Sequence, residues 1–194
     1  MEKNYDVNQS NFWENRYKKE EIGWDLGRET PVFTAISNTL NPGKVCILGC
    51  GNGYDAILFS KKGFSVTAVD FAKTPIHNLE TKARSLSLSI ETIKKDIFDL
   101  TPNYSSQFDY IIEQTCFCAI DPLKREQYSN LVYDLLKVGG KLIGLWMPLD
   151  KDIDEKLIYS QKNFEHKGII IATNDKETHG RKCKAVKEIM RNYN

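Results

Sequence analysis

The chain has 194 residues, of which 27 are Lys or Arg and 26 are Asp or Glu, so its formal net charge at pH 7 is +1. This balance disfavours a protein that binds nucleic acid or membranes through bulk positive charge. No apolar run approaches the ~20 residues of a membrane span, and the N-terminus carries no apolar signal region. A cytoplasmic protein with a small-molecule ligand is therefore predicted, as a monomer or, alternatively, a dimer.

The cysteines agree with this compartment. Their number is odd, at five, which predicts reduced thiols rather than a disulfide framework. Cys116 and Cys118 are separated by one residue, which is not the spacing of a zinc-binding pair. No metal site is predicted.

Helical and strand patterns alternate along the chain. Helices are predicted over residues 10–21, 31–40, 54–62, 75–86 and 122–137, with Gly139 and Gly140 ending the last of them. Strands are predicted over residues 44–49, 65–70, 89–92, 108–113, 141–147, 168–173 and 183–190. Such alternation predicts an α/β fold with a doubly wound, mostly parallel sheet and helices on both faces. The connection between the last two strands is too short for a crossover helix, so they are predicted to form an antiparallel hairpin.

A glycine-rich turn follows the first strand. Residues 49–53 read Gly-Cys-Gly-Asn-Gly, and Asp70 closes the second strand 21 residues after Gly49. Ligands of such sheets bind at the carboxyl ends of the strands, where glycines allow a close approach. An acid at this position accepts hydrogen bonds from ribose hydroxyls. The pattern predicts a nucleoside site; the alternative is a tight turn with incidental glycines and a surface aspartate.

The glycine spacing distinguishes two kinds of nucleoside. A dinucleotide fingerprint needs a small residue where this chain has Tyr54, which disfavours an NAD-dependent oxidoreductase. The Gly-x-Gly-x-Gly turn with its following acid instead resembles class I S-adenosylmethionine-dependent methyltransferases, whose core is Rossmann-like. That resemblance implies S-adenosylmethionine as cofactor, and it places the following residues against it: Gly49, Gly51, Gly53, Asp70, Phe71, Asp96 and Ile97.

Further motifs narrow the resemblance. Residues 12–17 read Phe-Trp-Glu-Asn-Arg-Tyr, 23–27 read Gly-Trp-Asp-Leu-Gly, and segments 108–122 and 135–149 follow in order. Together they are similar to the thiopurine S-methyltransferase family, especially its halide/thiol methyltransferase branch. The resemblance implies one domain over 1–194, in which a helical segment 1–42 covers the cofactor bound to a core of 43–194. It assigns the cover to Trp13, Tyr17 and Trp24; the alternative is that these aromatics only attach the helix to the core.

Gln114 matches a cofactor-contacting position of this family where aromatic or Arg side chains are common, so its role is open. The resemblance implies methyl transfer to a small soft nucleophile: a thiol, bisulfide, a halide or a thiopurine. The acceptor candidates are Phe117, Cys118, Tyr128 and Met147, although core packing explains Phe117 and Cys118 equally well. No obvious base is needed, because thiolates and halides are already nucleophilic.

One region departs from the family pattern. Relatives carry a Gly-Gly-Pro-Pro-Tyr-like motif after the fifth strand. In this chain the corresponding segment, residues 150–167, is short and charged and lacks that motif. Two alternatives follow from this departure and from the unnamed acceptor. One is a catalytically weak S-adenosylmethionine-binding module that acts through a partner, and the other is a tellurite- or selenite-type methyltransferase.

Overall fold

The computed structural model describes residues 6–146 in full and residues 169–173 as backbone. The helices are α1 Ser10–Lys18, α2 Pro31–Ser37, α3 Tyr54–Lys61, α4 Lys73–Ser85, α5 Cys116–Ala119 and α6 Arg125–Leu135, with 3₁₀ turns at Ile97–Asp99 and Pro122–Lys124. The strands are β1 Lys44–Leu48, β2 Ser65–Asp70, β3 Ile90–Lys94, β4 Phe108–Gln114, β5 Leu136–Leu145 and β6 Ile169–Thr173.

The strands form one sheet in the order β3-β2-β1-β4-β5-β6. Strands β1 to β5 run parallel to one another, which confirms the predicted parallel core. β6 pairs with β5 in the antiparallel direction. The second strand of the predicted hairpin, over 183–190, lies outside the described residues, so the hairpin itself stays a prediction.

Both faces of the sheet are covered, as the apolar run in β1 predicts. Successive side chains of a strand point to opposite faces. Cys46 and Leu48 pack into a core shared with α6, whereas Val45 and Ile47 pack into a second core shared with α2, α3 and α4. All four are buried. The sheet is thus a rigid platform between two helical layers.

Helix α6 and strand β5 have different bounds from those predicted, which were 122–137 and 141–147. The helix ends at Leu135 and β5 begins at Leu136, so the prediction that Gly139 and Gly140 end the helix is wrong. The backbone N–H groups of residues 106 and 107 donate to the final helical carbonyls, which ends the helix early. Gly139 lies inside β5 with φ +80°, at an irregularity of the pairing with β4.

The N-terminal helix is also shorter than predicted. It ends at Lys18 rather than near residue 21, because Glu20 adopts a left-handed φ of +57° that a helix does not continue. Between residues 6 and 146, no helix has the length and apolar character needed to cross a membrane. The central strands β1 and β4 are neighbours whose connections diverge, which is where a doubly wound sheet opens a crevice.

Candidate functional site

A cavity of about 440 Å³ lies at this crevice, between the turns after β1 to β4 and the N-terminal segment. It is lined by most of the predicted cofactor residues: Trp13, Tyr17, Trp24, Gly49, Asp70, Phe71, Asp96, Ile97 and Gln114. Among the acceptor candidates, Cys118 lines it. The sequence prediction and the fold therefore bring the same residues to one place.

The glycines of the turn have different tasks. Gly49, Gly51 and Gly53 have φ of +61°, +52° and +79°, a region that favours glycine. A side chain at Gly49 would begin 2.9 Å from the Cys116 Sγ, so glycine lets the turns after β1 and β4 pack closely together at the cavity wall. A side chain at Gly53 would instead collide with Leu79 of α4. Gly53 thus permits helix packing and does not line the cavity.

Asp70 is held in place before any ligand binds. Its Oδ2 accepts a hydrogen bond from the Gly51 N–H and its Oδ1 accepts one from the Ala72 N–H, both at 2.9 Å. The residue is only 7% exposed, and this burial raises the pKa of its carboxyl to about 6. The glycine turn and the acid predicted to act with it are therefore one hydrogen-bonded unit.

The turn after β3 forms a second part of the wall. Asp96 accepts a hydrogen bond from the Phe98 N–H at 3.1 Å, and Ile97 is buried beside it. Phe98 also lines the cavity, with the Lys124 Nζ 5.4 Å from its ring centroid. An apolar side chain next to an acid is what the resemblance implies for an adenine site.

Aromatic rings of the N-terminal segment cover the cavity. The Trp24 ring meets those of Trp13 and Tyr17 edge-on, with centroids 5.6 and 6.0 Å away. The Gln114 Nε2 donates to the Trp24 carbonyl oxygen at 3.0 Å. Gln114 therefore attaches the aromatic cover to the end of β4, a contact that its unusual side chain is long enough to make.

A carboxylate fastens α1 to the core. Glu14 accepts hydrogen bonds at 2.9 Å from the N–H groups of Lys73 and Thr74, and at 2.8 Å from the Thr74 hydroxyl. Burial opposes the charge of Glu14, but the bonds from Thr74 and Lys18 outweigh it and lower its pKa to about 2. Since these amides begin α4, Glu14 caps one helix from another.

Two further carboxylates hold the loop between α1 and α2. The Asn52 side chain donates to Asp25 at 2.5 Å, and Asp55 accepts from both the N–H and the hydroxyl of Thr30, at 2.8 and 2.9 Å. Burial raises the pKa of Asp55 to about 6. The cover is thus attached to the glycine turn and to α3 as well as to β4 and α4.

Arg16 lines the cavity and was not singled out from the sequence. Its guanidinium carbon lies 5.5 Å from the Phe12 ring centroid and 5.3 Å from that of Trp24, and its Nε donates to the Glu21 carbonyl at 3.2 Å. The helical spacing could have revealed it, because residues four apart share one helix face and Phe12 also lines the cavity.

Two acceptor candidates lie beneath the cavity rather than on its wall. Phe117 and Tyr128 are 1% and 0% exposed. The Phe117 N–H and the Tyr128 hydroxyl donate to the carboxylate of Glu113, which the Trp146 indole N–H also binds. Burial raises the pKa of Glu113 to about 7. Met147 lies outside the described residues.

Glu113 is a second residue that sequence reasoning missed. Its signal is an acid within the apolar strand pattern of β4, a position that is costly unless the charge is hydrogen-bonded. The next residues after β4 enter a turn in which Thr115 adopts a left-handed φ of +60°. Thr115 and Cys116 line the cavity directly above Glu113.

Comparison with known proteins identifies the family. A model of the thiopurine S-methyltransferase family matches residues 8–156. The chain belongs to the thiopurine S-methyltransferase family. The predicted resemblance to these methyltransferases, rather than to a dinucleotide-dependent oxidoreductase, is confirmed. Enzymes of this family use S-adenosylmethionine, and the glycine turn, the buried acid and the aromatic cover fit that cofactor.

Two plant methyltransferases are among the relatives of the chain. The chain is 32% identical over 148 residues to "Probable thiol methyltransferase 2" of Arabidopsis thaliana, covering 74% of this chain and 65% of that protein. It is 32% identical over 141 residues to thiocyanate methyltransferase 1 of Brassica oleracea, covering 71% and 62%. The matched region is therefore somewhat under two thirds of the length of these plant relatives.

Solved structures share the fold. A protein from Pyrococcus horikoshii matches 95% of this chain and 82% of its own at 23% identity, with a TM-score of 0.58. The 1,6-didemethyltoxoflavin-N1-methyltransferase of Burkholderia thailandensis, solved with bound S-adenosylhomocysteine, matches 86% and 66% at 20% identity, with a TM-score of 0.64. At these identities the likeness supports the Rossmann-like methyltransferase fold and nothing finer.

Proposed function

We propose that the protein is an S-adenosylmethionine-dependent methyltransferase whose acceptor is a small soft nucleophile, such as a thiol, bisulfide, a halide, thiocyanate or a thiopurine. The observation that carries the proposal is the cavity itself. The glycine turn, the buried carboxylate of Asp70 and the aromatic cover meet there, in a chain that belongs to this family. The names of the plant relatives favour a sulfur acceptor.

The cavity residues fit the parts of the proposed cofactor in order across the sheet. Asp96 and Ile97 follow β3 and suit an adenine ring, and the Asp70 carboxylate follows β2 and suits ribose hydroxyls. The faces of Trp13, Tyr17 and Trp24 attract cations. When bound, S-adenosylmethionine supplies a methyl group on a positively charged sulfur, which a nucleophile displaces in line.

The protein's own task is then to hold the acceptor in line with the methyl group and to exclude water from the cavity. The cover is attached to the core at α3, α4, β4 and the glycine turn, so it closes the cavity over the turn after β1. Cys118, Ala119 and Ile120 make the β4 side of the wall largely apolar. Such a wall suits a small polarisable acceptor held close to the reacting carbon.

The proposed acceptors need no general base. An ordinary thiol has a pKa of about 8.5, so part of it is thiolate near neutral pH, and halides carry their charge at any pH. The cavity wall, as far as the described residues form it, contains no histidine. Acceptors that arrive as anions are compatible with this wall, because they need no proton removed before they react.

A headspace assay tests the proposal. Purified protein would be mixed with S-adenosylmethionine and, in separate vials, bisulfide, a small alkyl thiol, iodide and thiocyanate, with a thiopurine assayed by liquid chromatography. A methylated product in at least one vial, absent with Asp70→Ala protein, is expected. If calorimetry shows tight cofactor binding but every vial stays empty, the catalytically weak module or a tellurite- or selenite-type acceptor takes its place.

A further inference from the structure

Arg16 places a cation on the wall of the cavity, next to the aromatic cover. Its guanidinium stacks on the ring of Trp24, whose carbonyl is bound by Gln114 at the end of β4. Asp96 and Ile97 follow β3, which is separated from β4 by β2 and β1. Trp24, the ring partner of Arg16, is therefore attached at the β4 side of the cavity, whereas the residues that suit an adenine ring lie at the β3 side.

No carboxylate among the described residues neutralises Arg16. The ion pairs formed within that part of the chain are Lys18 with Glu14 and Lys137 with Asp109. The carboxylates of the cavity wall are committed to backbone N–H groups: Asp70 to Gly51 and Ala72, Asp96 to Phe98, and Asp121 to Leu123. As far as residues 6–146 are concerned, the positive charge of Arg16 is thus available to a ligand.

Lys124, the other cation that lines the cavity, has carboxylates near it. Lys124 lies near Asp121, and its charge adds to the hydrogen bond from Leu123 and that from Asn8 in lowering the pKa of the Asp121 carboxyl. It also contributes to lowering the pKa of Asp6. Lys124 is therefore partly neutralised by Asp121 and Asp6, whereas no ion pair within residues 6–146 involves Arg16.

The guanidinium is also held ready. Its Nε is bound by the Glu21 carbonyl, and the rings of Phe12 and Trp24 lie against its carbon. A guanidinium carries five N–H donors, so the Glu21 bond fixes the group and leaves its terminal nitrogens for a ligand. A weakly hydrated planar cation suits an anion that must shed water on entering an apolar cavity.

We propose that Arg16 binds the negative charge of the methyl acceptor and so makes the site selective for anionic nucleophiles over neutral ones. The inference rests on the proposed function and names its substrate class: thiolates, bisulfide, halides and thiocyanate. One other anion has the same chemistry, the α-carboxylate of the cofactor's amino-acid part. The experiment below separates the two.

The test uses iodide, which is both an acceptor of the proposed class and a quencher of tryptophan fluorescence. Arg16→Gln is compared with Lys19→Gln, which removes the same charge from an exposed residue next to α1. Each protein is saturated with S-adenosylhomocysteine and titrated with iodide. We expect saturable quenching in the wild-type protein and in Lys19→Gln, and a half-saturation concentration about tenfold higher in Arg16→Gln.

Two further measurements complete the design. Calorimetry should give an S-adenosylhomocysteine Kd for Arg16→Gln within about twofold of wild type, which also shows that the variant is folded. In turnover with bisulfide, its KM should rise about tenfold while kcat changes less. Arg16→Lys, which keeps the charge, should lose less than about threefold in iodide binding.

The opposite results are as clear. A weaker S-adenosylhomocysteine Kd with unchanged iodide binding would assign Arg16 to the cofactor carboxylate and overturn the inference. Identical iodide quenching in Arg16→Gln and wild type would overturn it as well. If no acceptor is methylated by any protein but saturable quenching is lost in Arg16→Gln, the proposed function fails while the anion site stands.

Discussion

Asp70 shows how much a single residue depends on its neighbours. Its spacing from Gly49 predicted a ligand-binding acid, and the structure places it on the cavity wall. Both carboxylate oxygens already accept backbone hydrogen bonds, so Asp70 orients the glycine turn as well as facing the cavity. Because burial opposes ionisation, the pKa of this carboxyl is about 6. Because the Asp70 carboxyl ionises near pH 6, ligand binding to it should depend on pH.

We expect the affinity for S-adenosylhomocysteine to rise as pH increases through about 6, because the ionised carboxylate is the better acceptor for ribose hydroxyls. Asp70→Asn should weaken binding at pH 7.5 by about 1–3 kcal/mol and remove most of the rise. Calorimetry between pH 5 and 8 would measure both. An unchanged affinity in Asp70→Asn would show that Asp70 serves the turn alone.

At the scale of the element, α1 is a cover because another helix holds it. A short helix with one aromatic face gains little stability from its own hydrogen bonds. Glu14 supplies what is missing by accepting from the first amides of α4, which lie just after Asp70 and Phe71. The same contact explains why α4 begins at Lys73, two residues before the predicted start. Docking of α1 onto α4 therefore also places the aromatic cover over the cavity.

Replacing Glu14 should therefore separate the cover from the core. We expect Glu14→Gln to lower the free energy of unfolding by about 1 kcal/mol through the weakened cap and to weaken S-adenosylhomocysteine binding severalfold. Lys18→Gln, which removes only the partner of an exposed ion pair, should change stability by less than about 1 kcal/mol. Urea unfolding and calorimetry would test both variants. Equal losses of stability and affinity in Glu14→Gln and Lys18→Gln would show that the ion pair, and not the helix cap, attaches α1 to the core.

The pH dependence of this contact has a definite sign. The folded-state pKa of Glu14 is about 2, below its ordinary value of 4.5. Its stabilisation is therefore fully present above pH 4.5 and is lost as the pH falls from 4.5 through 2. The difference between wild type and Glu14→Gln should narrow over that range.

Helices and strands were predictable from local pattern, but several of their ends were not. The apolar alternation predicted α6 and β5 correctly as elements. Leu135 ends the helix because its carbonyl is bound by the N–H of Gln107, which precedes β4. Gly139, a helix stop in the sequence pattern, instead permits the irregular pairing of β5 with β4. Contacts between segments far apart in the chain decide such boundaries.

Across the whole molecule, Glu113 joins elements that the chain separates. Its buried carboxylate accepts from Trp146 after β5, from Tyr128 on α6 and from Phe117 on α5. It therefore ties the floor of the cavity to both sheet and helices. A buried acceptor with several converging donors is expensive to replace, because each donor left unpaired keeps its desolvation cost.

We expect Glu113→Gln to lower the free energy of unfolding by about 1–3 kcal/mol, since an amide offers one acceptor oxygen in place of two. The folded-state pKa of Glu113 is about 7 against an ordinary 4.5. The folded protein thus binds more protons between these values, and stability falls as the pH rises from 4.5 to 7.

Between pH 6 and 7.5 Glu113 should contribute most of this fall, because Asp70 and Asp55, with pKa values of about 6, have already lost half of their protons at pH 6. Glu113→Gln should flatten the fall over that range, whereas Glu20→Gln at an exposed site should not. Urea unfolding at pH 6 and 7.5 measures the difference. Equal slopes in all three proteins would show that Glu113 is ionised in both states.

The sequence by itself determined the order of helices and strands, the glycine turn and the position of Asp70, because these follow from local periodicity and spacing, whereas the aromatic cover was implied by the resemblance of short motifs to a family. Only the tertiary structure decided that Gln114 holds Trp24 across 90 residues, and that Phe117 and Tyr128 donate to Glu113 beneath the cavity. Each of these contacts depends on how separate elements pack, and local sequence patterns do not specify which distant side chains packing brings together.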